Sequence, residues 1–195
     1  MIDSPRAVRT LAVAGQVVDA LAARGVPAAV IGAMALAAYG YVRDTEDFDL
    51  ATVADPFTTL REVAADLRRL GLRAELHEPD ADDPLGGCLD VIGEDFDLVQ
   101  VVNFFNPLAV RPNLLGAEAV REAIAGMVSD PRFRIVDLPY LVALKLETGG
   151  HRDRSDVFAL LSMRRPLDIL SLREVCSRHG LGDKLEKVLS ELGLA

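Results

Sequence analysis

The chain has 195 residues, half of them hydrophobic and about a quarter charged, with a net charge of −9 and two cysteines. That length suffices for an α/β domain with a real core, and no apolar run reaches the roughly 20 residues of a membrane span. So acidic a chain is not one that wraps nucleic acid over a broad face, while Cys88 and Cys176, far apart and without metal-ligand spacing, fit a reducing cytoplasm better than a disulfide framework.

In chain order, Asp3, Arg6 and Arg9 precede an amphipathic stretch, so a secretory h-region is not expected. Val8, Leu11, Val18 and Leu21 recur at helical spacing and predict a helix over Pro5 to Ala23, with Ser4 as N-cap and Gly25 as its stop. Ala28 to Ile31 reads as a short buried strand, Met34 to Tyr39 as a helix ended by Gly40, and Phe48 to Val53 as a second strand. Pro56 to Leu70 is a helix with an arginine-rich outer face, followed by a strand at Arg73 to His77 and an acidic loop from Pro79 to Gly87. Cys88 to Ile92 and Phe96 to Val102 form a hairpin about Gly93-Glu94-Asp95. Beyond Asn106 the pattern is helical, with one more strand at Phe133 to Val136 and a C-terminal amphipathic helix from Leu167 that carries Leu185, Val188, Leu189 and Leu192. The expected fold is mixed α/β (α+β): a sheet-bearing half, 1–106, holding the site, and a mainly helical half, 107–195, packed on it. Phe104, Phe105 and Tyr140 are read as core rather than as base-stacking groups.

The informative segment runs from Ile31 to Leu50. Aspartate is disfavoured inside strands, yet Asp47 and Asp49 open one, two positions apart. A period of two points both carboxylates to one face and Phe48 and Leu50 to the other. Like charges held so close repel unless a cation joins them, and an all-oxygen donor set suits Mg²⁺ or Mn²⁺ completed by phosphate oxygens and water. Upstream, Gly32-Ala33 links an apolar strand to a helix and offers backbone N–H groups to an anion such as a triphosphate.

Gly32-Ala33, Gly40, Arg43, Thr45 and Asp47-Phe48-Asp49-Leu50 together resemble the signature of the DNA polymerase β-like nucleotidyltransferase superfamily, in particular its small bacterial branches, including the AbiEii-type, toxin-related enzymes. The resemblance implies a nucleotidyltransferase fold, a sheet flanked by helices with a C-terminal helical region. It also implies a Mg²⁺- or Mn²⁺-dependent transfer of NMP from an NTP to an acceptor hydroxyl. Asp47 and Asp49 would hold metal, and Gly32, Ala33, Arg43 and Thr45 the nucleotide. A third metal-binding carboxylate belongs on a later strand: Asp97, in Phe96-Asp97-Leu98-Val99, fits best, and Asp90 is its rival. Lys145 with Asp153 and Asp156 resembles a Lys…Asp-x-x-Asp stretch of the same relatives, in which Lys145 approaches the triphosphate. The two acids, one helical turn apart, are read first as cap residues. Ala33 stands where relatives carry glycine or serine, and the arginine expected after the lysine is missing. The acceptor is open: tRNA reached by a local contact at Arg68, Arg69 and Arg73 or at Arg152 and Arg154, or an antibiotic. The other readings are a nucleotide-binding regulatory protein without turnover and a toxin–antitoxin protein, with an antitoxin or a second copy as partner. His77, His151 and His179 have no metal spacing, and neither a Walker A motif nor a nucleophile elbow occurs.

Overall fold

The computed structural model describes residues 4–125, 130–163 and 166–194. Among these lie eight helices and seven strands in one mixed sheet. Helix α1 (Pro5–Ala22) starts where the Ser4 hydroxyl oxygen accepts the N–H of Ala7, and turns Val13, Val17 and Leu21 into the core. Strand β1 (Ala28–Val30), helix α2 (Gly32–Ala38) and strand β2 (Asp47–Thr52) follow, the last with Phe48 and Leu50 buried and Asp47 and Asp49, which alternate with them, partly exposed. Helix α3 (Thr59–Arg69) begins three residues later than Pro56 suggests, because the Asp55 carboxylate accepts the N–H groups of Phe57 and Thr58 and holds them in a turn.

Strands β3 (Arg73–His77), β4 (Cys88–Ile92) and β5 (Leu98–Asn103) form an antiparallel meander, and β5 runs parallel to β2. The expected strand from Phe96 begins two residues later, at Leu98. Arg6 draws the carbonyl of Phe96, and the Thr10 hydroxyl takes the N–H of Asp97, so both residues belong to the α1 contact. After α4 (Leu114–Arg121), strands β6 (Ile124–Ala125) and β7 (Arg134–Ile135) pair with each other, and β7 lies parallel on the free edge of β1. The strand order is therefore β3-β4-β5-β2-β1-β7-β6.

Helices α5 (Leu138–Thr148) and α6 (His151–Ser162) are separated at Gly149, whose φ of +67° is a left-handed helix terminus. The expected single C-terminal helix is two, α7 (Ile169–Arg178) and α8 (Gly182–Glu191), divided at Gly180 with φ +70°; Leu185, Val188 and Leu189 of α8 are buried. No described helix is long and apolar enough to cross a membrane.

Helices α1 and α3 cover the face of the sheet made by Phe48, Leu50, Leu89, Val91, Val99 and Val101. On the opposite face Ala51, Val102 and Phe104 pack beneath α4 and α5, with Ile31 and Leu144 at their margin. Asp47 and Asp49 lie on that second face. Wholly buried Asn103 closes the sheet at their far end: its Nδ2 donates to the carbonyls of Ala54 and Gly86, both at 2.8 Å, and its Oδ1 accepts the Ala54 N–H at 3.0 Å. Replacing it with alanine leaves several buried backbone groups without partners, so Asn103→Ala is expected to cost about 2–4 kcal/mol in urea unfolding.

Candidate functional site

The site grows from the pleat of β2. Because Phe48 and Leu50 are pulled into the core, Asp47 and Asp49 project from the other face, and the β1–α2 junction passes over them. At that junction Gly32 adopts φ +59°, and a side chain there would overlap the Asp49 carboxylate, its Cβ lying within 2.8 Å of Asp49 Cγ. Glycine is thus required twice, for backbone conformation and for space. The Ile31 N–H donates to the Asp49 carbonyl at 3.0 Å and fixes the junction against the strand. Ala33 is buried behind it.

Burial, with Asp47 alongside, pushes the Asp49 pKa from an ordinary 3.8 up to about 6, while Arg43 and Lys145 pull the other way. The Thr45 hydroxyl donates to the Asp47 carboxylate. A hard divalent cation fits this donor set, since it would relieve both the repulsion and the desolvation. Among the described residues no group of three or more histidines, cysteines or acids is placed to close around an ion. A cation held by the pair must therefore be completed by ligand oxygens or water, which Mg²⁺ accepts.

Lys145 is not a surface lysine. It is 7 % exposed, and its Nζ donates to Asp156 at 2.7 Å and to Asp153 at 3.0 Å. Asp156, 1 % exposed, also faces Arg43, whose Nε lies 3.3 Å away but off hydrogen-bond geometry, a pairing of charge alone. The capping role expected of the two acids is replaced by this one: the N-cap of α6 is Gly150, and both aspartates turn to Lys145. A cavity of 630 Å³ between β5, the loop before α4 and α5 is lined by Gly32, Lys145, Thr148 and Asp153 and by apolar Val102, Phe104, Leu141 and Leu144.

Asp97 is not brought to the pair. It precedes Leu98, which pairs with Asp47, so alternation turns it to the α1 face, where Arg6 and the Thr10 hydroxyl hold its carboxylate. The residues of β5 beside Asp47 and Asp49 are Leu98 and Gln100. One strand further on, Asp90 is paired with Gln100 and lies on the same face as Asp49. Its carboxylate accepts from Gln100 Nε2 at 2.9 Å and from the Cys88 thiol at 3.2 Å, and lies 3.3 Å from His77 Nε2. Burial first, and then Asp90, raise the Cys88 pKa, so that thiol is a donor and no nucleophile.

No family profile and no curated protein matches the chain. Solved structures do. The antibiotic-resistance factor ANT(2'')-Ia, in its solution structure, covers 95 % of this chain and 96 % of its own with a TM-score of 0.52 and 17 % identity. Its crystal structure with adenylyl-2''-tobramycin covers 95 % and 97 %, with a TM-score of 0.51 and 16 % identity. Terminal uridylyl transferase 4 from Trypanosoma brucei with bound GTP covers 83 % of this chain and 51 % of its own, with a TM-score of 0.41 and 12 % identity. The chain has the nucleotidyltransferase fold, a mixed sheet flanked by helices.

A raised pKa makes Asp49 testable without any substrate. The folded protein binds this proton more tightly than the unfolded chain does, so the group's stabilising contribution is full below about pH 4 and is lost as pH rises through about 6. In chelator, Asp49→Asn is expected to unfold at higher urea than wild type at pH 8, by about 2–3 kcal/mol, with the difference vanishing near pH 4.

Proposed function

We propose that this chain is a metal-dependent nucleotidyltransferase that moves the nucleoside monophosphate of an NTP onto an acceptor hydroxyl. The observation that carries the reading is the Asp47–Asp49 pair on one strand face, with Gly32 backbone laid against it and no side chain between. A divalent cation at the pair would supply charge neutralisation and Lewis-acid polarisation of the triphosphate. Arg43 and Lys145 flank the pair from the loop before β2 and from α5 and face the phosphates, and Thr45 orients Asp47. Counted formally, Asp47, Asp49, Asp153 and Asp156 outnumber Arg43 and Lys145, so a bare triphosphate is repelled and a metal-bound one is not.

Asp90, rather than Asp97, serves as the base for the acceptor and not as a third metal ligand. It shares the face of the pair, and Gln100 and His77 fix its carboxylate where an acceptor hydroxyl could give up its proton. The acceptor fits a small neutral or cationic molecule better than tRNA. The net charge is −9, and the acidic loop holding Asp80, Asp82 and Asp83 leads into Pro84 and Leu85 at the cavity. Of the arginines expected to serve RNA, Arg68 donates to the Ala74 carbonyl, Arg69 pairs with Asp66, Arg73 with Glu75, and Arg152 donates to the Asp44 carbonyl. Membership of the AbiEii-type branch and a toxin–antitoxin role rest on motif resemblance alone. A second reading, nucleotide binding without turnover, draws on one observation, that β5 sets Leu98 and Gln100 rather than an acid directly beside the pair.

Two measurements test these readings. Mg²⁺ with NTP should raise the melting temperature of wild type and fail to raise that of Asp47→Asn or Asp49→Asn; the nucleotide-binding reading is wrong if both variants respond like wild type. With each α-labelled NTP and a panel of aminated and hydroxylated small acceptors, Asp90→Asn should lose label transfer by orders of magnitude. Asp97→Asn should keep it while losing about 1 kcal/mol of stability through its Arg6 contact. Nucleotide binding with no transfer by wild type to any acceptor would select the second reading.

A further inference from the structure

Lys145 has three N–H donors, and the structure spends two of them on carboxylates of unequal character. Asp156 is sealed at 1 % exposure between Lys145 and Arg43. Asp153 has a side chain 30 % exposed, borders the cavity beside Gly32, and is otherwise held by the Thr148 hydroxyl at 2.8 Å. Breaking a buried ion pair strands a charge and is costly, whereas a part-exposed pair contributes little. The two acids therefore divide the work. Asp156 fixes the lysine in place, and Asp153 occupies the donor that points to the cavity.

We propose that Asp153 is an intramolecular competitor for the phosphates of the nucleotide: it holds Lys145 in the free protein and gives it up when a triphosphate enters. This rests on the nucleotide reading above. The exchange asks only for rotation of one side chain in the first turn of α6, just beyond the left-handed Gly149. The nucleotide binds only the fraction of molecules in which Lys145 is free, so the pair raises the apparent Kd by the inverse of that fraction. Asp153 is thus a positioning residue that sets affinity. It keeps a cation ready beside Asp49 without leaving that cation open to any passing anion.

The test is calorimetric titration with magnesium tripolyphosphate, which has the phosphates and no base, and with magnesium NTP. Asp153→Asn should bind both more tightly, on the order of fivefold, and Asp153→Glu should return to the wild-type value. A purely structural role predicts the opposite sign for Asp153→Asn. The gain should vanish when Lys145→Met is added, because it acts through that lysine. Equal or weaker binding by Asp153→Asn with an unchanged melting temperature overturns the inference, as does a gain that persists in the Lys145→Met background. If Lys145→Met does not fold, the Asn and Glu variants decide alone. Wild type that binds magnesium NTP while Asp153→Asn gains nothing sinks this inference only; wild type that binds neither ligand sinks the nucleotide reading with it.

Discussion

Holding Asp47 and Asp49 on one face of β2 sets a second carboxylate beside Asp49, where burial already disfavours ionisation. Much of the surrounding structure answers to that arrangement. Phe48 and Leu50 anchor the strand from behind, so the aspartates cannot rotate inward. Gly32 has no side chain because none fits against Asp49. Arg43 and Lys145 lower the electrostatic cost from two sides, and Asp156 in turn holds both cations. The isolated protein carries a local instability at the point where a cation and a polyanion would relieve it, a common arrangement for binding sites.

The quartet of buried Lys145 and Asp156 with part-buried Arg43 and Asp153 connects three parts of the chain: the loop before β2, helix α5 and helix α6. Ion pairs of this kind add little net stability, because desolvation offsets the attraction. Their effect is geometric. The helical part is set against the sheet in the register that brings Lys145 close enough to influence Asp49.

The alternation of Asp-Phe-Asp-Leu made the pair legible from residue order alone, since a period of two admits one arrangement in a half-buried strand. Asp97 shows where such reading fails. Its Phe-Asp-Leu-Val setting is strand-like, but the buried residues that follow are Val99 and Val101, and Asp97 shares their parity. That parity was available in the sequence. What was not available is the register that sets Asp47 beside Leu98, and with it which face of β5 belongs to the site. Lys145 was legible in part. Helix α5 is apolar nearly all round, from Tyr140 to Leu146, and a charge inside such a helix is buried and needs partners. The acids that supply them lie across a helix junction, and their spacing suits a cap as well as an ion pair. Asn103 gave no local signal, because the loops at Ala54 and Gly86 that it ties meet only in the folded sheet.

Strand β1 has its own consequence. It is three residues long, sits next to the site-bearing β2, and has its other edge paired with β7, more than a hundred residues further along the chain. During synthesis the N-terminal meander can pair with itself, but this edge stays open until residues 134–136 emerge and the Val136 N–H reaches the Val30 carbonyl. A nascent or truncated chain that stops short of β7 therefore presents an unpaired, apolar Ala-Ala-Val edge immediately beside its charged site, the kind of surface on which chains add to one another.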